Sequence, residues 1–270
     1  NHPVQGIRYK NETWELDTTK GVFSTPKLLI ATGSNPKIWK LLASLGHEVI
    51  SPVPSLFTFN IKDPRLKTIP GVVATDVRVS VVDSYLESEG PLLVTHAGLS
   101  APSILKLSAY GALELAEKKY KFQIKVNFIK QEFSECLERL LEIKIAFPRK
   151  TILKSAQFDL PKRLWEQLVL ASNIPADLRW AEVNKPQLQA LASQLTEAVF
   201  SVDGKSTFKE EFVTAGGVEL KGVNFKNFES KHYKNLFFAG EVLNIDAVTG
   251  GFNFQNAWTS AFIAAQQLSK

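Results

Sequence analysis

Methionine is absent from the 270 residues, and the chain has one cysteine and four histidines. The single thiol, Cys136, cannot close an internal disulfide, and without a cysteine cluster no thiolate zinc site can form. No stretch approaches the roughly 18 uninterrupted apolar residues of a membrane-spanning helix. The opening residues also lack the basic, apolar and small-residue order of a secretion signal. A cytoplasmic, metal-free protein that does not enter a membrane is the expectation. The missing methionine, with Asn1 in first place, implies a trimmed longer protein or residues left out of the sequence, which would shorten some spacings by one.

What is present is an ordinary globular mixture. Hydrophobic residues make up 44% and charged residues 22%, which excludes disorder and fibrous repeats and suits one large domain or two to three modest ones. The net charge is +5, from 32 Lys and Arg against 27 Asp and Glu. From Phe208 onward six basic side chains face six acidic ones, so the excess lies earlier. It falls in the run Lys118, Lys119, Lys121, Lys125 and Lys130 and between Arg139 and Arg163, both interspersed with glutamates. Such mixed charge reads as solvated surface, with a weak site for a polyanion or acidic partner as the alternative. Nucleic acid is not the expected partner.

The pattern along the chain predicts β structure at Ile7–Lys10 and Thr13–Leu16, joined at Asn11-Glu12. A short apolar strand, Lys27 to Ala31, runs into Thr32-Gly33-Ser34, and Pro36 opens a helix that Gly46 stops. Residues 48–127 are strand-rich, with one helix over Pro102–Ala116 capped by Ser100. Helices follow at Phe133–Ile143, Pro161–Ala171 and Pro186–Leu195. A strand at 197–202 then meets a hairpin turn at Asp203-Gly204. Phe212–Val218 reads as strand, glycine turn, strand. Leu236–Phe238 is a second buried strand ending in Ala239-Gly240-Glu241, and Gly250-Gly251 leads into a helix over Phe254–Leu268.

Chemistry concentrates at the two glycine-ended strands. In open α/β sheets, ligands bind beyond the carboxyl ends of strands, and glycine lets a flat ring or a phosphate approach the backbone. Glu241 can accept hydrogen bonds from sugar or ribityl hydroxyls. The helix start after Gly250-Gly251 offers unpaired N–H groups and partial positive charge, which suits an anion or an electron-rich ring edge, and Asn253 adds an amide.

Those residues resemble a known family. Ala239-Gly240-Glu241-Val242-Leu243, Asp246, Thr249 to Gln255, Ala257-Trp258 and Phe212 to Val218 closely resemble the bacterial FAD-dependent oxidoreductases that include aminoacetone oxidase and flavoproteins described as NAD(P)/FAD-dependent dehydrogenases. Glu229-Ser230-Lys231 matches too. Leu28–Gly33, Leu45-Gly46-His47 and Thr95 to Pro102 fall in the family's order. The resemblance implies an α/β fold: a split FAD-binding domain of glutathione-reductase type carrying inserted β-rich and small helical domains. It assigns residues 1–48 and 208–270 to the FAD-binding domain and 49–207 to the insertion. Within the insertion, 49–130 is β-rich, 131–197 helical and 198–207 returns to β structure. It also implies FAD as cofactor, with Thr32, Gly33, Gly240, Glu241, Gly250, Gly251, Phe252 and Asn253 holding it. A small-molecule substrate is expected. NAD(P)H is possible as a second cofactor, although no motif marks it.

The family's opening strand and G-x-G-x-x-G helix, which bind the FAD pyrophosphate, do not occur in this sequence. The chain therefore looks like the C-terminal two-thirds of a member, without the N-terminal Rossmann strand and helix. On that reading it holds FAD weakly or not at all, and Leu28–Ala31 and Leu236–Ala239 are left as uncovered apolar surface. The function expected of the full-length protein is FAD-mediated transfer of a hydride or two electrons. The alternative is a non-catalytic binding protein on a degenerate flavoprotein scaffold, contacting its partner through Lys118–Lys130.

His96 is the one candidate acid or base, weighed against a histidine that merely fixes its loop. Ser100 in Gly98-Leu99-Ser100-Ala101-Pro102 resembles a serine-hydrolase elbow, but Pro102 replaces the last glycine, which favours a helix cap. His2, His47 and His232 read as surface or turn residues. Trp165, Trp180 and Trp258 read as core, with Trp258 a further candidate for the flavin site.

Overall fold

A computed structural model describes residues 2–206 and 213–270. Along the chain lie β1 (Val4–Lys10), β2 (Thr13–Thr18), β3 (Gly21–Thr25), β4 (Leu28–Ile30), α1 (Pro36–Ser44), β5 (Val49–Ser55) and β6 (Thr58–Asn60). Next come α2 (Pro64–Lys67), β7 (Val73–Val81), β8 (Glu87–Val94), β9 (Gly98–Ser100), α3 (Pro102–Tyr110), α4 (Ala112–Glu117) and β10 (Lys121–Asn127). The helices α5 (Phe133–Ala146), α6 (Lys162–Ala171) and α7 (Lys185–Thr196) precede β11 (Ala198–Asp203) and β12 (Lys205–Ser206). The chain closes with β13 (Val213–Val218), β14 (Val223–Asn224), β15 (Glu229–Ser230), β16 (Leu236–Phe238) and α8 (Phe252–Leu268). It divides into two compact units, Asn1–Ser55 with Phe212–Lys270, and Leu56–Glu211.

In the first unit β1, β2 and β3 form an antiparallel meander. Asn11 and Glu12, at φ 49° and 59°, make the tight two-residue turn whose twist suits a hairpin. A second sheet has the order β14-β15-β16-β4, in which β16 and β4 run parallel. α1 starts on Asn35, whose side chain accepts from the Lys37 amide at 3.0 Å, with Pro36 in the first turn. It buries Ile38, Trp39 and Leu42 in a core shared with β4, β16 and Val242. The Trp39 indole N–H donates to the Val242 carbonyl at 2.9 Å. That core covers Leu28, Ile30, Leu236, Phe237 and Phe238, contrary to the expectation that these strands would be left bare; of the two segments, Ala31 stays exposed.

β13 and β5 form an antiparallel pair. The predicted glycine turn inside Phe212–Val218 is not there: 213–218 is one strand with a register shift between Ala215 and Gly217, while Phe212 lies outside the described residues. A Cβ on Gly216 would stand 2.8 Å from the Pro52 Cα, and one on Gly217 would stand 2.7 Å from the Val242 carbonyl. The glycines serve backbone contact, not reversal.

In the second unit seven strands follow the order β11-β10-β7-β8-β9-β6-β12. β11 and β12 sit at opposite ends of that order, yet only Gly204 separates them in sequence. The predicted hairpin at Asp203-Gly204 is therefore replaced by closure of a barrel. The Gly204 amide donates to the Tyr120 carbonyl at 2.8 Å, and its own carbonyl accepts from the Asn60 amide at 3.0 Å. Glycine at φ +104° permits this bridging of the two ends, and closure leaves little free strand edge. The barrel interior carries Phe59, Val77, Val79, Leu92, Leu99, Ile124 and Phe200.

α5, α6 and α7 occupy the three predicted helical stretches, each turning an apolar stripe inward. Trp165 and Trp180 are fully buried, their indole N–H groups donating to the Ile152 carbonyl and the Ser155 hydroxyl. Cys136 is buried as well, and burial pushes its thiol up to about 12, which removes it from redox or nucleophilic work. Ser100 does not cap α3. It belongs to β9 and accepts from the Thr58 hydroxyl at 2.9 Å, while Ala101, at φ 80°, takes the cap position without a side-chain bond. No described helix is long and apolar enough to cross a membrane.

Candidate functional site

Within the first unit, β4 and β16 pair residue for residue, Leu28 with Leu236 through Ile30 with Phe238. The Ala239 amide continues the ladder by donating to the Ile30 carbonyl at 3.0 Å. Their glycine corners, Thr32-Gly33 and Gly240-Glu241, therefore emerge side by side at the carboxyl ends of adjacent parallel strands. Gly33 and Gly240 both take left-handed backbone, at φ 62° and 73°. A Cβ on Gly33 would meet nothing within 4 Å, so the surface above it is open.

α8 joins the same region. The Gly240 amide donates to Ser260 on α8 at 2.9 Å, and a Cβ on Gly240 would lie 3.5 Å from that of Ala257. Asn253 is one helical turn before Ala257 on the same face. The helix is entered through Gly251 in left-handed conformation, with Gly250, Gly251 and Phe252 exposed. The two corners thus adjoin, and α8 touches the second of them through Ala257 and Ser260, one turn or more beyond Asn253.

Two members behave differently from their simplest reading. The Asn253 amide is spent on its own loop: its Oδ1 accepts from the Ala247 amide and its Nδ2 donates to the Ala247 carbonyl, both at 2.9 Å. It holds the helix entrance in place rather than presenting a free carboxamide. Glu241 is half-buried, and among the described residues its carboxylate has no cation within 4.0 Å and no hydrogen-bond donor. Burial pushes its pKa up. An under-satisfied carboxylate beside an open glycine corner suits a ligand that donates hydroxyls.

The residues present fit the ring and hydroxyl side of a flavin nucleotide: open backbone at Gly33, an acceptor at Glu241 and a helix entrance at 250–252. The pyrophosphate part has no counterpart motif in this sequence.

Trp258 is not core. It is 68% exposed, in line on α8 with Phe254 at 67% and Phe262 at 65%, and its ring stacks on Phe254 at 6.0 Å. His47 is not a surface residue either; it is 4% exposed, with the His232 ring 5.1 Å away and the Ser230 hydroxyl 3.5 Å from its Nε2. Burial first, then the neighbouring His232, lowers its pKa to about 4. Periodicity gave no signal for that burial, because its cause is Phe238 and Tyr233 packed around the ring.

In the second unit His96 is exposed on the loop before β9, bordering a cavity of about 810 Å³. The lysine run proposed as a polyanion surface is largely neutralised. Lys118 pairs with Glu114 at 3.3 Å, Lys121 with Asp203 at 3.2 Å, and Lys125 with Glu197 at 3.8 Å. Lys130 sits between Asp76 and Glu89 at 3.0 and 2.9 Å. Among the described residues no group of three or more His, Cys, Asp or Glu is arranged to hold a metal.

The family profile described as "HI0933-like protein barrel and H2TH domain" matches residues 53–213, the stretch that carries the barrel and the three helices. The chain belongs to the HI0933-like family. This HI0933-like chain is 30% identical over 271 residues to the ribosomal RNA dihydrouridine synthase of Escherichia coli (strain K12), covering 96% of the chain and 65% of that protein. The protein of the same description from Haemophilus influenzae is 28% identical over 269 residues, covering 98% of the chain and 63% of its own length. The 3-dehydro-bile acid delta(4,6)-reductase of Clostridium scindens is 24% identical over 238 residues, covering 87% and 58%. The chain spans 65% or less of the length of each of these relatives. All three are enzymes.

Proposed function

We propose that this HI0933-like chain is the greater part of a flavin-dependent reductase that saturates a ring carbon–carbon bond conjugated to a carbonyl, with a uridine of ribosomal RNA as substrate. The observation that carries the flavin part is the adjacency of the two glycine corners on β4 and β16, with α8 bonded to the second corner and Glu241 unpartnered among the described residues. The substrate part rests on the relatives' names. Dihydrouridine is uridine with two hydrogens added across its pyrimidine double bond, and a delta(4,6)-reductase saturates a double bond in a steroid ring. Both descriptions fit addition of a hydride and a proton to an activated ring alkene. This reading departs from the expectation of a small-molecule substrate without nucleic acid.

FAD bound at this site would supply the hydride, with a reduced nicotinamide as the source of its two electrons. The chain's own part is positional. Gly33 and Gly240 keep side chains away from the face where the ring lies. Glu241 accepts hydrogen bonds from hydroxyls, and a desolvated carboxylate holds them more strongly than one in water. Asn253 fixes the 247–253 loop, so the first amides of α8 stay in register beside the corner.

The test uses full-length protein with FAD, reduced nicotinamide and ribosomal RNA lacking the modification. A gain of two mass units on one uridine is the expected result, and its absence with active flavin turnover would refute the substrate. Glu241→Ala is expected to release FAD at least tenfold more readily; unchanged retention would remove Glu241 from the site.

A further inference from the structure

The cavity beside His96 lies wholly on residues of the second unit and has the size of a nucleotide site, about 810 Å³. Its lining divides by chemistry. Pro64, Pro70 and Ala97 provide the accessible apolar wall over the buried Ile61 and Leu66, and Asn60 and His96 provide polar and aromatic edges. The Asn60 side-chain oxygen accepts from the Ser206 hydroxyl at 2.6 Å, while its amide nitrogen has no acceptor among the described residues.

Charge at the rim is unbalanced. Asp63 is answered by Arg65 at 2.7 Å: burial opposes its ionisation, but the bonds from Arg65 outweigh that and lower its pKa. Asp203 is answered by Lys121 at 3.2 Å. Lys62 and Lys67 are exposed and have no carboxylate within 4.0 Å among the described residues, so two positive charges remain at the opening.

We propose that this cavity receives one nucleotide of single-stranded RNA, its base against Pro64 and Pro70 with the Asn60 amide at its edge, and its phosphates on Lys62 and Lys67. This deepens the RNA reading above and rests on it. Single-stranded RNA suits the geometry because an unstacked base can enter a pocket whereas a paired one cannot, and an exposed His ring offers a stacking surface. The lysine run 118–130 suits that role less, since four of its five cations already face carboxylates.

The experiment is a fluorescence-anisotropy titration of a labelled uridine dodecamer with the full chain, repeated across salt concentrations. K62E/K67E is expected to bind at least tenfold more weakly, and its salt slope should fall by about 1.4, the value for two lost phosphate contacts on a single strand. K226E, the same charge change per residue on the other unit, is expected to bind like the parent. Ala97→Phe, which narrows the cavity without altering charge, should weaken binding while keeping the salt slope. Uridine monophosphate should displace the RNA at concentrations where inorganic phosphate does not.

Unaltered affinity and slope in K62E/K67E, or equal displacement by phosphate, would overturn the proposal. Both lysines are exposed, so an unchanged circular dichroism spectrum and melting temperature will show that folding is intact. If uridine is reduced normally by K62E/K67E, the cavity proposal fails and the reductase reading survives. If RNA binding depends on both lysines but no uridine is reduced, the reverse holds.

Discussion

The Gly240 amide donates to the Ser260 hydroxyl at 2.9 Å, and Ser260 donates back to the Asn256 carbonyl at 2.6 Å. Both residues are buried, so this hydroxyl couples the strand-end corner to α8 through a group that water does not reach. Ser260→Ala leaves the Gly240 N–H without a partner and is expected to cost about 1–3 kcal/mol. Urea unfolding measures it, and a midpoint equal to that of the parent would show that the bond does not hold the corner.

Two glycines separate conformational from steric demand. A Cβ on Gly98 would stand 2.2 Å from the Phe59 carbonyl and 2.6 Å from the Ile61 amide, both fixed backbone of the barrel. Gly98→Ala is expected to lose more than about 4 kcal/mol, or not to fold. Gly33→Ala meets open space and pays only for left-handed backbone, about 1–2 kcal/mol. Thermal melts of the pair test the ordering.

His47 gives the fold a pH dependence. Its pKa falls from an ordinary 6.5 to about 4 in the folded chain, so the unfolded chain binds the extra proton between those values. Its contribution is complete above pH 6.5 and is lost as pH falls toward 4. The full loss is about 3 kcal/mol. His47→Phe should flatten the stability profile between pH 4 and 6.5; a slope there equal to the parent's would assign the effect elsewhere.

The tryptophans divide by exposure. Trp258→Ser is expected to change stability by no more than about 0.5 kcal/mol, because the ring is 68% exposed. Trp165→Ala empties a fully buried site and is expected to cost about 3–5 kcal/mol. Chemical denaturation of the two variants distinguishes them directly.

Local features were legible wherever the cause was local. Asn35-Pro36 starts α1, Asn11-Glu12 turns the first hairpin, and the apolar stripes of α5, α6 and α7 mark helices whose ends move by only a few residues. The glycine corners at 33 and 240 were visible for the same reason, since a short apolar run ending in glycine is a property of neighbouring residues. What misled was punctuation with a distant cause. Gly216 and Gly217 lie inside β13, and Gly204 closes the barrel, where each reads as a turn.

The amino-acid order alone established helix starts, strand runs and the two corners, because capping, periodicity and left-handed glycine act within a few residues. Packing decided the rest. Only the folded chain could bring β4 beside β16, close the barrel through Gly204, bury His47, expose Trp258, and match four of the five lysines of 118–130 to carboxylates while leaving Lys62 and Lys67 without one among the described residues. Each of those outcomes depends on partners far away in sequence, and no spacing rule encodes which partner arrives.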